Sequence, residues 1–368
     1  MSGTPTTISQ IADIQAIAQR LAQHSRGVDR ADAALLADCY HADATVDYRF
    51  YAGPAQAFAT ILTDAQRGQP VTLHRTAQMW ISLDGDTARS ESYVMAYVQA
   101  PDSDGAMKQR LVCGRYLDRH ERREAQWRLS HRTYVLDTNA NWPGSWEASG
   151  LSPLSAHVPT GGQGSADTGI ALLALAAARN RQDGSGNHDM NTQTDTVSTQ
   201  VIDEVISRQQ IADLTMAYCR GVDRADVDLL KSIFHDDSTV VSGAFNGNGQ
   251  EFAVEICRIV ATVFEQTFHS IANQWIDVAG DSAVAETYVI AVASTSGADA
   301  DKTETLTGGR YIDRFTRREG IWKFAERSFI CDWTRTDKST RQMDSGMYAP
   351  LDLQGSQGRT DPIYRFWN

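Results

Sequence analysis

Cysteine is scarce in this chain. Five occur in 368 residues (Cys39, Cys113, Cys219, Cys257 and Cys331), an odd number with no Cys-x-x-Cys spacing. That excludes a disulfide framework and points to free thiols in a reducing compartment. No run of about 18 apolar residues occurs, which excludes an ordinary membrane-spanning helix. Met1 to Gln10 is polar, without a basic start or an apolar stretch, so no secretory leader is expected and a cytoplasmic location is. Positive charge is short: 34 Lys and Arg stand against 46 Asp and Glu, a net charge of −12. A nucleic-acid partner is therefore not expected. The nine histidines show no His-x-His or His-Glu-x-x-His spacing, so no metal site is expected. No Gly-x-Gly-x-x-Gly follows a strand, no phosphate-binding loop appears, and no Gly-x-Ser-x-Gly sits at a strand-to-helix turn. These absences leave a chemistry without cofactor as the expectation.

What the chain does have is a repetition. Arg26-Gly27-Val28-Asp29-Arg30-Ala31-Asp32 recurs unchanged as Arg220-Gly221-Val222-Asp223-Arg224-Ala225-Asp226, 194 residues later. Gly114-Arg115-Tyr116-Leu117-Asp118-Arg119 recurs as Gly309-Arg310-Tyr311-Ile312-Asp313-Arg314, 195 residues later. An offset this long means duplicated domains rather than a solenoid. The reading is a first domain over 8–147, a Gly/Ser-rich linker over 148–199, a second domain over 200–335, and a tail over 336–368. The aromatic end of that tail, Tyr364-Arg365-Phe366-Trp367, predicts docking on the body of the protein, over a cavity mouth. Fusion of two halves of an ancestral homodimer would make pairing of the two domains intramolecular. Further association into a homo-oligomer stays open.

Within each copy, helical spacing comes first and strand alternation follows. Ile11 to Leu36 reads as helix with a break near Gly27, and Ile206 to Ile233 matches it. A second helix is predicted over Pro54–Ala65 and over Gln250–Phe264. The predicted strands are His74–Leu83, Thr87–Gln99, Arg110–Arg122 and Trp127–Asp137, then His269–Val278, Ser282–Ser294, Thr305–Arg317 and Trp322–Asp332. Each copy is thus α+β, with helices packed on one face of a curved antiparallel sheet. Gly169 to Ala178, within the linker, reads as a surface helix.

Both copies keep an Asp in the early helical region (Asp29, Asp223), a His at the start of the second strand (His74, His269) and an Arg in the last strand (Arg132, Arg327). Bland readings stand beside these: Asp29 as a cap or a bridge to Arg30, His74 as a satisfied core histidine. His41 and His235 read as helix-end residues. Asp118, Arg119, Arg122 and Arg123 read as a solvated hairpin with cross-strand ion pairs. Trp80 and Trp275 read as matched core residues.

The Arg-Gly-x-Asp-Arg-x-Asp block, the Tyr/Phe-His-x-Asp piece, the His ahead of an Asp-Gly-Asp-type turn, and Gly-Arg-Tyr-x-Asp-Arg-x-x-Arg-Arg together resemble the SnoaL-like, scytalone dehydratase-like branch of the nuclear transport factor 2 superfamily. The resemblance implies two tandem cone-shaped α+β barrels, each with an internal cavity. It implies an Asp–His dyad working without cofactor. His74 would abstract a proton from carbon while Asp29 orients the ring, and Arg132 would stabilise a leaving group or oxyanion. Tyr48 falls nineteen residues after Asp29, where related enzymes often hold a Tyr. His24 in copy one and Tyr218 in copy two fall five residues before the Asp, where relatives hold Lys or Tyr. Tyr51 and His131 are expected to line the first pocket. Ser242 stands near the position of Tyr48, and Glu326 replaces His131, so copy one is the richer site. Asp223, His269, Arg327 and Tyr218 are the second-copy equivalents.

The implied activity is that of a cofactor-independent lyase acting on a bulky, apolar, hydroxylated ring compound, within aromatic-compound catabolism. Dehydration and a retro-aldol-like deformylation, as of a lignin-derived diaryl propanediol, both fit. A steroid-type isomerase or dehydratase is the alternative enzyme reading, and a non-catalytic ligand-binding or assembly protein the alternative of another class.

Overall fold

A computed structural model describes residues 5–69, 72–102, 105–143, 163–167, 199–298 and 301–367. The proposed linker helix at Gly169–Ala178 lies outside them. Domain 1 opens with α1 (Ile8–Asp29) and α2 (Ala33–Asp38), then β1 (Tyr40–Asp47), β2 (Ala52–Pro54) and α3 (Ala55–Gln66). Four long strands follow: β3 (Leu73–Asp84), β4 (Thr87–Pro101), β5 (Met107–Arg123) and β6 (Gln126–Pro143). Domain 2 repeats the order with α4 (Thr199–Asp223), α5 (Val227–Ile233), β7 (Phe234–Val241), β8 (Asn246–Asn248), α6 (Gly249–Val263), β9 (Phe264–Ala279), β10 (Ser282–Thr295), β11 (Thr303–Arg318) and β12 (Ile321–Lys338).

Each domain is one six-stranded mixed sheet carrying helices, ordered β2-β1-β6-β5-β4-β3 and β8-β7-β12-β11-β10-β9. The β1–β6 and β7–β12 pairings are parallel and the others antiparallel. Alternation sets the two faces. On β4, Val94 and Ala96 point to the helices, while Glu91, Tyr93 and Met95 point away. The inner cores include Ile17, Leu21 and Phe58 in domain 1 and Ile211, Phe252 and Phe324 in domain 2.

The Arg-Gly-Val-Asp-Arg-Ala-Asp block is a helix-to-helix corner. Thr7 and Gln10 start α1 with a reciprocal capping box. The helix runs through Gly27 and ends at Asp29, and the break falls at Arg30–Asp32, later than the sequence suggested. Gly27 is there for close approach: a Cβ on it would sit 3.0 Å from Leu36 Cβ, and one on Gly221 would sit 2.6 Å from Leu230 Cδ2. Ala31 and Ala225 turn the corner at φ 50°. Asp32 and Asp226 then cap the next helix by accepting from Leu35 N and Leu229 N.

The segment after β12 leaves domain 2 and lies along domain 1. Leu136 N donates to Leu353 O and Gly355 N to Leu136 O, adding a short rung beside β6. Tyr348 and Leu351 enter the domain 1 core, and Ile363, in α7 (Pro362–Trp367), packs on Leu117 and Val135. The tail also completes a buried charge network. Arg115 donates to both Asp137 oxygens, to both Asp361 oxygens and to Glu91, and Arg224 donates to Asp137 and Asp361.

Three sequence readings need correction. Asp118 and Asp313 are not part of a solvated hairpin: each is fully buried and holds Arg132 or Arg327 bidentately. Arg122 and Arg123, further along, do make the solvated pairs expected there, with Asp86 and Asp43, as Arg317 and Arg318 do with Asp281 and Asp237. Trp80 is packed against the domain 2 core, but Trp275 is 76% exposed. His41 lies in β1, donating to or accepting from nothing catalytic: its Nε2 meets Glu121 O at 2.9 Å. No helix among the described residues is long and apolar enough to cross a membrane.

Candidate active site

The corner after α1 delivers Asp29 to the first residues of β3. Its carboxylate accepts three hydrogen bonds: from Thr72 Oγ1 at 2.7 Å, from His74 N at 2.9 Å, and from His74 Nδ1 at 2.7 Å. The backbone contact fixes the strand start; the ring contact fixes the imidazole. A carboxylate at Nδ1 selects the tautomer that carries its proton there and leaves Nε2 with a lone pair. The same arrangement recurs in domain 2, with Asp223 accepting from Thr267 Oγ1 at 2.9 Å, His269 N at 2.9 Å and His269 Nδ1 at 2.6 Å. Burial pushes the Asp223 carboxyl up, but the His269 and Arg224 charges and the hydrogen bonds from His269 outweigh it and hold the group below its ordinary value.

His74 faces a cavity of about 310 Å³ between the sheet and the helices of domain 1. Aromatic rings form one wall: Tyr48, Phe50, Tyr116 and Tyr134, with Tyr48 and Tyr134 stacked at 5.7 Å. Val94, Ala96 and Val112 form another, and Met347 and Leu351 of the tail close it. The polar lining consists of Gln66, Gln69, Thr72, His74, Gln99 and the tyrosines, and no carboxylate is among the described lining residues. The Tyr48 hydroxyl is buried beside Arg132 and Tyr116, and Gln99 Oε1 is buried without a hydrogen-bond partner. Burial pushes the Tyr48 and Tyr116 phenols up, against the pull of the nearby Arg132, so both are neutral donors.

The other sequence candidates lie behind or outside this cavity. Arg132 does not line it. Its guanidinium is clamped by Asp118 at 2.7 Å on two nitrogens and lies 3.8 Å from the Tyr116 ring centroid, with Nη1 buried and unpartnered. Arg327 repeats this against Asp313 and under Tyr218 and Tyr311. His24 is buried beneath the site with Nε2 2.9 Å from the Tyr40 hydroxyl. Burial, then Arg132 and His74, hold its pKa well below the ordinary value, which makes it a neutral ring. Tyr51 donates to Pro54 O and rests near Phe58. His131 contacts Thr45 and Thr133 on the strand surface rather than in the cavity. Tyr116, Tyr134, Gln99 and the two tail residues escaped the sequence reading. Tyr116 lay in the repeated Gly-Arg-Tyr block, and that repetition was the signal available.

Domain 2 keeps the dyad but changes the wall. Ser242 Oγ donates to Phe245 O instead of standing free, and Phe329 stands where domain 1 has Tyr134. Past the bulge, the Trp333 ring leans on Gly308, where a Cβ would collide with it. Among the described residues no group of three or more His, Cys, Asp or Glu is placed to hold a metal.

A helix-backed sheet with a carboxylate–imidazole pair at its mouth, made twice, defines the class. The chain belongs to the SnoaL-like domain family, whose pattern matches residues 9–133 and again 203–328. Among solved structures it is similar to a type 2 hexachlorocyclohexane dehydrochlorinase (LinA), at 23% identity over 36% of this chain and 88% of that one, TM-score 0.33. It is also similar to a putative scytalone dehydratase from Novosphingobium aromaticivorans, at 22% identity over 36% of this chain and 87% of that one, TM-score 0.33. A LinA-type3 dehydrochlorinase from Novosphingobium barchaimii matches at 22% identity over 36% and 90%, TM-score 0.33. A comparison with curated proteins returns no match.

Proposed function

We propose that the protein is a cofactor-independent lyase whose working site is the domain 1 cavity, with His74 as general base. The observation that carries this reading is an imidazole pinned by a buried carboxylate and facing an apolar cavity lined by no carboxylate. A carboxylate-base isomerase needs an acid in that lining, so the arrangement favours the lyase. A purely structural dyad needs no cavity in front of it.

In the proposed elimination, His74 Nε2 takes a proton from substrate carbon. The C–H electron pair becomes the new carbon–carbon double bond as the neighbouring C–O bond breaks. The imidazolium, stabilised by Asp29, returns its proton to the departing hydroxide, so water leaves and the ring is restored. Tyr48, whose hydroxyl lies in the wall beside Arg132, donates to the developing negative charge. Arg132 acts from behind, as the fixed positive charge beside the Tyr116 and Tyr48 rings. The largely apolar, ring-lined cavity suits an alicyclic or aromatic substrate bearing a hydroxyl group. The same base serves carbon–carbon cleavage: it deprotonates that hydroxyl, the oxygen pair forms the aldehyde C=O as the carbon–carbon bond breaks, and the released electron pair passes to the ring-conjugated carbon, which takes the proton back from the imidazolium.

A panel of hydroxylated ring compounds, assayed by product mass, tests the proposal. His74→Ala should lower turnover about 10²–10⁴-fold while the variant stays folded. Unchanged turnover in that variant would overturn the assignment.

A further inference from the structure

The place where the first two helices of a domain meet the start of its last strand has diverged between the copies. In domain 1 it is spanned by charge. Arg20 of α1 donates to Asp38 at 2.8 Å and to Trp127 O at 3.1 Å, and Arg128 meets Asp38 at 2.6 Å. By the offsets of 194 and 195, Leu214 replaces Arg20, Ser232 replaces Asp38 and Lys323 replaces Arg128. Ser232 turns back on its own helix and donates to Leu229 O. The bridging guanidinium is gone from domain 2.

In domain 2 this place holds a cavity of about 400 Å³, whose lining includes Thr6, Trp80, Asp213, Leu214, Ala217 and Trp322. It shares no described lining residue with the His74 cavity. Trp80 reaches it from β3 of domain 1. That ring is steadied by Arg220, 4.4 Å from its centroid, and by Trp367, 6.0 Å away, and Arg220 is itself paired with Glu91 at 3.0 Å. Trp322 offers its ring rather than its N–H, because Nε1 is buried.

Asp213 is the only acidic or basic side chain among the described lining residues. It stands where domain 1 has the exposed Gln19. Gln209 Nε2 donates to it at 2.9 Å, and no described cation pairs with it. Burial pushes its carboxyl up to about 7. A carboxylate held in apolar surroundings is stabilised in its ionised form by a positive charge brought beside it. The catalytic account makes no use of this group.

We propose that this cavity is a second ligand site, for a small arylalkylamine whose ammonium pairs with Asp213 and whose ring lies among Trp80, Leu214 and Trp322. The ligand supplies in domain 2 the positive charge that Arg20 supplies in domain 1. Aromatic walls attract a cation as well as a ring, and Leu214 and Ala217 take the apolar stem. An anionic ligand would meet Asp213 with no cation in the described lining to offset it. The site is independent of the catalytic proposal.

Equilibrium dialysis of the full chain against phenethylamine, with phenethyl alcohol as the uncharged isostere, tests this. Phenethylamine should bind with a Kd of about 1 mM or below, as expected of a probe this small. The alcohol should bind at least about tenfold more weakly, and Asp213→Asn should weaken the amine about 10–100-fold. Leu214→Arg puts a guanidinium back where domain 1 has one and should block the amine. Circular dichroism checks that both variants fold. No binding of phenethylamine to the wild type at about 10 mM overturns the proposal. So does equal binding of the alcohol, or binding of the amine that is undiminished in either variant.

Discussion

Removing the carboxylate of Asp361 should release the tail from domain 1. The carboxylate accepts from Arg115 Nη1 at 2.9 Å and Nη2 at 2.7 Å, from Arg224 Nη1 at 2.7 Å, and from Ser356 N and Ile363 N at 2.9 Å each. Burial pushes this carboxyl up, but Arg115 and Arg224 override it and hold it far below the ordinary value. Its contribution is therefore present above the ordinary carboxylate pKa and is lost as pH falls toward the folded one. Asp361→Ala leaves Arg115 and Arg224, both fully buried, facing each other with one partner fewer. Breaking a buried pair from one side costs about 3–5 kcal/mol. Tail release limits that cost, because an undocked tail lets water reach both guanidiniums. The effect should thus appear first as local opening. Hydrogen exchange at the Gly355 amide, which donates to Leu136 O, should accelerate by about 10²–10³-fold, since each 1.4 kcal/mol is tenfold. Exchange within α1 should change much less. An unchanged Gly355 rate would show that the network does not hold the tail, and the reasoning would fail.

Other outcomes follow from the same structure. Tyr48→Phe removes a buried hydroxyl that Arg132 and Tyr116 approach, so stability should fall by about 0.5–1.5 kcal/mol while turnover falls about 10²-fold; full retention of turnover would remove Tyr48 from the mechanism. His269→Ala should cost far less activity than His74→Ala, and equal losses in kcat would move the working site to both domains. His120 is buried against Ser90 and is pushed down to about 4 by burial. Because the unfolded chain takes up this proton near pH 6.5, stability should fall as pH drops from 6.5 toward 4, by up to about 1.4 kcal/mol per unit for this group. Denaturant melts of His120→Gln should show a flatter slope over that window; an unchanged slope would mean the ring is not kept neutral.

Much of the fold was legible because the chain carries its own comparison. The strand pairs emerge from alternation and the Asp84-Gly85-Asp86 turn, and the matched spacing of Asp29 to His74 and Asp223 to His269 marks two residues that meet in both domains. What stayed hidden depends on which copy covers which. Trp80 and Trp275 occupy equivalent strand positions, yet one is half-buried against domain 2 and the other is bare. Asp118 sits in an Arg-rich hairpin sequence, and only the inward phase of β5 at that residue sends it to Arg132. Arg132 itself looked like a cavity cation, but its partner fills the fork that a substrate would need. Gln163-Gly164 in the linker and Gln357-Gly358 in the tail are too short a likeness to stand out in the sequence, yet Gly164 N donates to Arg30 O as Gly358 N does to Arg224 O.

The central claim is that Asp29 holds the His74 ring with Nε2 open to the cavity. Nitrogen-15 NMR of the imidazole, in its neutral form, measures this without a substrate. The proton should sit on Nδ1, hydrogen-bonded, with an unprotonated Nε2 whose signal shifts when Asp29→Asn is introduced. A proton resident on Nε2, or His74 signals indifferent to Asp29→Asn, would contradict it.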